Sequence, residues 1–329
     1  MGYLIWLYMG IAFFSLCSCC HDDDDKKPEP DPNPIPPDTY ADMTVTFDWS
    51  QCGDERPASM SLYLFNSQEQ SIPVNFPNAT GGKVQLLPDK YQALAYNNDT
   101  ENLTGFGTSY EDFEISVASA ELEGFARMFA QTRGNIPRAE DTENQPVVYE
   151  PDKLYIGNHI GHTFQTTADG LTLFMKPATF IYSITIKNVD NLSYVVEAAA
   201  TISGMAMSMH PATALPTQTT AIIPFALQVE ASSMLKGEMR CFGHCPEQTM
   251  KHYLVIYAMI DNGAKYYYTY DITDYLHAPG QPGSEVPGGT VDVNIEISNL
   301  PIPQPINGEG GGIKPQVDTW NEIEIPIEM

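Results

Sequence analysis

Apolar and polar side chains alternate along most of this chain, so that every second residue of many short runs is hydrophobic. In the clearest run, Met43–Trp49, single polar residues separate the four apolar ones. Because successive side chains of a β-strand point to opposite faces, this period predicts strands with one buried face. The further runs that we interpret as strands are residues 61–65, 72–76, 83–87, 90–96, 113–117, 154–156, 171–175, 178–186, 195–209, 219–227, 253–260, 265–271, 291–298 and 322–329.

Clusters of Gly, Pro, Asn and Asp separate these runs at intervals of about ten residues, which is typical of antiparallel β-sandwiches and barrels. One stretch, residues 118–133, has helical spacing of apolar residues but is interrupted by Gly124. Residues 157–170 show no sustained period. We therefore predict an all-β protein with one β-sandwich at residues 42–167 and a second at residues 168–329.

The strongest hairpin signal joins residues 253–260 to residues 265–271 through Asn262-Gly263. This dipeptide favours a type I′ turn, and it would place Tyr266, Tyr268 and Tyr270 on one face of the second strand. A row of tyrosines could form a platform for a sugar. On a strand, such a row is more often core or cross-strand packing.

The first 16 residues are apolar and uncharged, and a proline-rich acidic segment follows them. The apolar run has the length of a secretory signal, although it lacks the usual initial Lys or Arg, and it is shorter than the roughly 20 residues that span a bilayer. Six prolines between residues 28 and 37 favour polyproline II structure. We predict a tether at residues 19–41, and at about 3.1 Å per residue its segment from residue 21 to residue 38 forms a stiff stalk of roughly 50 Å.

Charge and cysteine content limit the classes of partner. The 329 residues include 42 Asp and Glu against 16 Lys and Arg, for a net charge of −26, which argues against nucleic acids and anionic membrane surfaces as partners. The few cysteines do not form a disulfide scaffold. Within Cys241–Cys245, His244 lies between two thiols and His252 follows, but a local disulfide or two unreactive thiols fit this spacing better than a zinc site.

Catalytic motifs are not visible in the sequence. There is no G-x-S-x-G, P-loop or H-E-x-x-H pattern, and we expect neither a cofactor nor a metal ion. His159 and His162 could approach a metal only with Asp169 as a third ligand. Asp271 and Asp274 could bind calcium but are typical of a turn followed by a helix cap. Abundant carboxylates leave a glycosidase-like enzyme as a weak alternative.

Residues 16–25 resemble the maturation site of bacterial lipoproteins. Leu16-Cys17-Ser18-Cys19 is similar to a lipobox, which implies a signal peptide at residues 1–18 and lipid attachment to Cys19, with Cys20 as the competing position. The acidic run Asp22, Asp23, Asp24 and Asp25 resembles the signal that sends such proteins of Bacteroidota to the outer face of the outer membrane. The resemblance implies an acyl anchor, which holds a protein stably when several chains insert.

The chain also resembles the fimbrillin-like subunits of Bacteroidales type V pili and related surface lipoproteins. Besides the lipobox and the acidic run, the resemblance rests on segments in a common order, at residues 87–99 (LPDKYQALAYNND), 154–157 (LYIG), 184–192 (ITIKNVDNL), 203–209 (SGMAMSM) and 266–276 (YYYTYDITDYL). It implies two transthyretin-like sandwiches, no enzymatic activity, a role in cell adhesion, and assembly with other fimbrial subunits by donor-strand exchange.

The family's stalk subunits lose their first strand to an arginine-specific protease, and this sequence departs from that pattern. The only arginine between residue 38 and the second strand is Arg56, and Pro57 follows it and disfavours cleavage. A retained first strand implies an anchor or accessory subunit. The last strand, with Ile323, Ile325 and Ile327 on one face, either is donated to a neighbour or completes its own domain. The alternative function is a carbohydrate-binding surface lipoprotein of a glycan-uptake system.

Overall fold

The computed structural model describes residues 35–130, 136–245, 250–277, 293–305 and 320–323, which all lie in one compact unit, Ile35–Met329. In chain order the strands are β1 (Ala41–Asp48), β2 (Met60–Phe65), β3 (Ser71–Phe76), β4 (Gly81–Leu86), β5 (Asp89–Asn97), β6 (Leu103–Phe106), β7 (Glu114–Val117), β8 (Tyr155–Phe164), β9 (Gly170–Phe174), β10 (Lys176–Pro177), β11 (Phe180–Lys187), β12 (Val195–Ala206), β13 (Ser208–His210), β14 (Leu215–Pro216), β15 (Thr220–Ala226), β16 (Gln228–Ala231), β17 (Met234–Cys241), β18 (Tyr253–Ile260), β19 (Lys265–Asp271), β20 (Val293–Ser298) and β21 (Trp320–Glu322). The helices are α1 (Leu122–Phe125), α2 (Arg127–Ala130) and α3 (Thr273–Leu276), and a 3-10 turn spans Leu192–Tyr194.

The first sandwich pairs a three-stranded sheet, in the order β4-β1-β9, with a five-stranded sheet, in the order β10-β8-β5-β2-β3. Their inner faces share one apolar core, to which Val45, Leu62, Ala93 and Leu171 contribute fully buried side chains. The alternation in the sequence has this cause: inward residues fill the core and outward residues meet water. The predicted all-β class is confirmed.

The second sandwich pairs a sheet in the order β16-β17-β11-β20 with one in the order β15-β12-β18-β19-β21. Tyr182 and Ile184 of one sheet pack with Ile202 and Ile256 of the other. Pro224 lies in β15 at a sheet edge, as predicted, where its missing amide costs no ladder hydrogen bond. The outer face of the larger sheet is covered by α1, α2 and the loop after them.

The first sandwich extends past the predicted boundary at residue 168. β9 pairs in parallel with β1, and β10 pairs with β8. A further sheet, in the order β14-β13-β7-β6, joins strands from both halves of the chain. The division into domains at residues 42–167 and 168–329 stays a prediction, and the strand pairing places the end of the first sheet pair near residue 177.

Three local expectations differ from the structure. β8 runs through residues 157–164, where no period was visible, because a register shift opposite β5 breaks the alternation there. The helical stretch forms two single turns separated at Ala126. In the hairpin turn, Gly263 has a φ of 85° but Asn262 has a negative φ, which excludes type I′. The hydrogen bond from the Gly263 amide to the Ile260 carbonyl fits a longer loop ending in glycine.

Candidate functional site

The first strand fills a slot between two neighbours. β1 pairs antiparallel with β4 and parallel with β9, and Met43, Val45 and Phe47 are 0–4% exposed. Gly81 sits against it with a φ of 98°, where a Cβ would lie 2.2 Å from the Val45 carbonyl oxygen. Because no side chain fits at that approach, glycine allows β4 to close on β1.

The loop after β1 carries the arginine that matters for proteolysis. Arg56 is exposed, and its guanidinium donates to the carbonyl oxygens of Gly53 and, over 2.7 Å, of Glu55. The same group lies 5.3 Å from the centre of the Trp49 ring, at the end of β1. The arginine is therefore accessible, and the residue that follows it, Pro57, is what disfavours cleavage.

The described part of the last strand completes the chain's own sheet. β21 pairs in parallel with β19, and the Asn321 side chain donates to the Lys265 carbonyl over 3.0 Å. Trp320 packs against Phe129 and Tyr257, with ring centres 5.9 and 5.4 Å away. Ile323 packs partly on the core of the second sandwich. Of the predicted donor-strand residues, Ile325 and Ile327 lie outside the described residues.

The predicted lipid-attachment and export residues also lie outside the described part of the chain. These are Cys19, its competitor Cys20, and the run Asp22, Asp23, Asp24 and Asp25. No described helix is long and apolar enough to cross a membrane.

The tyrosine row of β19 faces the core. Tyr268 and Tyr270 are buried, and Tyr266 is partly buried against the same cluster. The Tyr268 hydroxyl donates to the Pro301 carbonyl over 3.0 Å, and burial raises the pKa of Tyr268. These rings offer no open face to a sugar, so the carbohydrate-binding alternative loses its strongest support.

The segment Cys241–Cys245 contributes to a buried histidine cluster. Cys241 and Cys245 are buried thiols that form no disulfide, and Cys52 is a third thiol, half-buried. The rings of His244, His252 and His277 lie 4.9–5.4 Å apart, centre to centre. Across the described ranges, no group of three or more His, Cys, Asp or Glu side chains is arranged to hold a metal ion.

Hydrogen bonds fix the orientation of these rings. His252 Nδ1 lies 3.2 Å from the Ser203 carbonyl oxygen, which can only accept, so the neutral ring carries its proton there. His252 Nε2 then accepts from His277 Nε2 over 2.9 Å. The Tyr182 hydroxyl lies 2.9 Å from His244 Nδ1, whereas His244 Nε2 is buried with no hydrogen-bond partner among the described residues.

Burial keeps His244 and His252 uncharged near neutral pH. It lowers the pKa of His244 to about 3, and the neighbouring His252 and His277 lower it further. Burial likewise lowers the pKa of His252 to about 4, a shift that the Ser203 carbonyl and Asp271 oppose. The imidazoles of His244 and His252 are therefore neutral near neutral pH and pack as part of the core.

Two of the remaining candidates, Asp271 and Asp169, accept hydrogen bonds from backbone amides. Asp271 Oδ1 accepts from the Thr273 amide over 3.0 Å at the start of α3, so it forms the turn that the sequence favours. Asp169 accepts from the amides of Gln165 and Thr166, both over 2.8 Å. His159 and His162 have ring centres 5.7 Å apart, and burial lowers the pKa of His162.

A cleft that the sequence did not indicate opens beside α1. It has a volume of about 710 Å³ and is lined by aromatic residues (Phe125, Tyr149), acidic residues (Glu121, Glu150), and Asn102, Ser119, Ala120, Gly124 and Pro224. These residues come from four separate parts of the chain. Only the order of the strands brings them together, so no local motif marks them.

Comparisons with known proteins identify a matching family and solved structures of similar fold. Residues 37–226 match the family described as "Domain of unknown function (DUF5119)", and no curated protein matches the chain. Among solved structures, a candidate adhesin from Bacteroides ovatus has a TM-score of 0.56 and 17% identity, and the match covers 87% of this chain and 98% of that one. This similarity shows a shared fold.

Two further solved structures show lower similarity. The fimbrial anchor protein Mfa2 from Porphyromonas gingivalis has a TM-score of 0.48 at 10% identity, with 79% of this chain and 91% of that chain covered. A candidate polysaccharide-binding protein from Bacteroides thetaiotaomicron also has a TM-score of 0.48, at 11% identity, with 79% and 90% covered.

Proposed function

We propose that this chain, which belongs to the family described as a domain of unknown function (DUF5119), is a non-enzymatic surface subunit of the fimbrial adhesion type. The observation that carries the proposal is the filled slot of β1 between β4 and β9. A subunit that keeps its first strand cannot accept a donor strand there, which fits an anchor or accessory subunit. The Bacteroides ovatus structure of the same fold is itself described as an adhesin candidate.

The retention of β1 can be tested with an arginine-specific protease. We expect the wild-type chain to yield no new amino terminus at residue 57, and the variant Pro57→Ala to yield one, because Arg56 is exposed. Sequencing of the amino termini distinguishes this cut from cuts at other arginines. The double variant Arg56→Gln, Pro57→Ala is the control. Efficient cleavage of the wild type after Arg56 would contradict an anchor or accessory role.

Lipid attachment at Cys19, with surface exposure directed by Asp22–Asp25, is the second part of the proposal. Its support is the lipobox-like sequence and the polyproline tether, which would hold the folded part away from the membrane. Mass spectrometry of the mature amino terminus should find acyl chains on residue 19. Cys19→Ser should abolish acylation and Cys20→Ser should leave it intact, and the reverse result would move the anchor to Cys20.

Donation of the last strand to a neighbouring subunit is the third part. Its support is the alternation of Ile323, Ile325 and Ile327 with Glu322, Glu324, Pro326 and Glu328, because alternate side chains set the register when a strand is added to a sheet. A pull-down from gently solubilised outer membranes should recover fimbrillin-like partners, and removal of residues 322–329 should abolish them. Replacing the three isoleucines by serine should act like the truncation.

The matched control for strand donation replaces Glu324 and Glu328 by serine, on the opposite face, and should leave the partners in place. Recovery of a monomer without such partners from both the full chain and the truncated chain would remove the fimbrial part of the proposal. Recovery of the same partners from both forms would assign the last strand to its own domain.

A further inference from the structure

The cleft beside α1 has a rigid floor. The Tyr149 amide donates to the Ala118 carbonyl over 3.1 Å, and the Ala118 amide donates to the Asn102 carbonyl over 2.8 Å. The Asn102 side chain donates in turn to the Glu150 carbonyl over 2.6 Å. The backbones of three lining segments are therefore joined before any ligand arrives. A volume of about 710 Å³ lies in the usual range for small-molecule sites.

Two aromatic rings contribute apolar surface to the cleft. Tyr149 is 52% exposed and Phe125 is 37% exposed, although each belongs to a segment that is otherwise packed against the second sandwich. Large aromatic rings that are exposed beside a concave surface are typical of binding sites, in which the bound ligand buries the rings. The rings therefore identify a binding surface rather than a gap in the core.

The charge in the cleft has one sign. Glu150 is half-buried, and its Oε2 accepts from the Arg240 amide over 2.9 Å. Burial raises the pKa of Glu150, although the amide and the charge of Arg240 oppose the shift. Glu121 adds a second carboxylate at the exposed edge, and among the described residues that line the cleft there is no Lys or Arg. Arg240 compensates part of the charge of Glu150, but an anion would still meet two carboxylates, and a neutral ligand would remove water from them without adding a positive charge.

We propose that this cleft binds a cationic group, the guanidinium of an arginine or the ammonium of a lysine presented by a partner protein. Such a cation would interact with the faces of Tyr149 and Phe125 and donate hydrogen bonds to the carboxylates of Glu150 and Glu121. This ligand class goes beyond the proposed function and does not depend on strand exchange. The net charge of −26 would assist the approach of a basic partner.

The test measures binding to the full chain by isothermal titration and by NMR shifts. The probes are Nα-acetyl-arginine amide and Nα-acetyl-lysine amide, against the uncharged citrulline derivative, which has nearly the same shape as arginine, and the uncharged Nε-acetyl-lysine derivative, which is larger by one acetyl group. We expect binding of the charged member of each pair only, with an affinity that falls as salt is added. Equal binding of charged and neutral members, or no binding of either, would overturn the proposal.

Two arms identify the source of the cation and the side chains that bind it. A short peptide with one central arginine should bind at least as tightly as the free amide; if only the free amide binds, the ligand is a small cation and not a protein side chain. Glu150→Gln and Tyr149→Ala should each weaken binding about tenfold or more. Tyr275→Ala, at a ring that is 51% exposed elsewhere, should leave it unchanged.

Glu150→Gln keeps an acceptor for the Arg240 amide, so its fold should persist, which a circular dichroism spectrum can verify. If the same titrations show that neutral oligosaccharides bind in the cleft and cationic probes do not, the ligand class is a sugar and the proposal is wrong.

Discussion

The buried histidines His244 and His252 make the stability of the folded state depend on pH. The pKa of His244 is about 3 and that of His252 about 4 in the fold, against about 6.5 for an unfolded chain. A group with a lowered pKa of this kind binds more protons when unfolded. Its stabilising effect is complete above pH 6.5 and is lost as the pH falls towards 4 and then 3.

We therefore expect the free energy of unfolding to fall by a few kcal/mol between about pH 6.5 and pH 4, because protonation favours the unfolded chain. Urea titrations at several pH values measure this loss. The variant His244→Gln should show a shallower dependence on pH than the wild type, whatever its stability at pH 7. Val229→Ala, an exposed position outside the cluster that removes no titratable group, should keep the wild-type slope. Identical slopes for all three proteins would show that His244 does not titrate as described.

The hydroxyl of Tyr182 provides a second prediction at this scale. Tyr182→Phe removes the partner of His244 Nδ1 and leaves a buried polar atom without that hydrogen bond. We expect a loss of about 1–3 kcal/mol in the free energy of unfolding at pH 7. Urea denaturation measures it, with Tyr275→Phe at an exposed ring as the control. A loss no larger than that of the control would contradict a structural role for this hydroxyl.

The sequence draws attention to His244 and His252 through their spacing from Cys241 and Cys245, but it does not indicate His277. That residue follows α3, and it reaches the cluster only because β18 and β19 pair as a hairpin. The same limit applies to the cleft. Glu150 and Phe125 approach each other through long-range strand order, which alternation cannot specify.

At the scale of elements, alternation predicts the position of a strand well and its partner poorly. β1, β2 and β5 begin within two residues of the predicted limits, because a buried face must be apolar wherever the strand pairs. The parallel pairing of β1 with β9 has no local signature in the sequence, because the two strands lie far apart along the chain. β16 and β17 were not predicted, and the exposed side chains of β16 give no alternation.

The burial of β1 between β4 and β9 predicts that a substitution lowers the free energy of unfolding only where the side chain faces the core. Phe47 is buried and contacts Phe76 edge-on at 5.4 Å, so Phe47→Ala should lower the free energy of unfolding by about 3–5 kcal/mol. Phe174→Ala, in the neighbouring β9 but 55% exposed, should cost less than about 0.5 kcal/mol. Chemical denaturation of the two variants compares them directly. Similar losses would show that β1 is not held in the slot described.

At the scale of the whole molecule, the first sandwich has a core of its own, but other residues of the first half of the chain pack into the core of the second sandwich. Phe65, Leu94 and Ile115 from the first half of the chain belong to the same buried cluster as Ile184 and Ile256 from the second. The sheet that contains β7 and β13 crosses the predicted boundary as well. Composition and length suggest two domains, but they cannot show how much apolar surface the two domains bury together.

We therefore expect residues 35–329 to unfold in one cooperative transition, observed at the same temperature by circular dichroism and by tryptophan fluorescence. Ile115→Ala, in β7, should lower that single midpoint without splitting it, with a cost of about 2–5 kcal/mol. Val229→Ala, 60% exposed in β16, is the matched control. Two separate transitions in the wild type would establish two independent domains.

The parallel pairing of β1 with β9 also governs the order in which the chain can fold. β1 is made first, but its parallel neighbour is made only after β8, so the contact between them has a large sequence separation. Such contacts slow folding, because a long loop must close before they form. Until β9 is synthesised, the backbone amides along one edge of β1 are unpaired, and β9 of another copy of the chain can form hydrogen bonds with them. Folding yield therefore depends on how far apart nascent copies are kept.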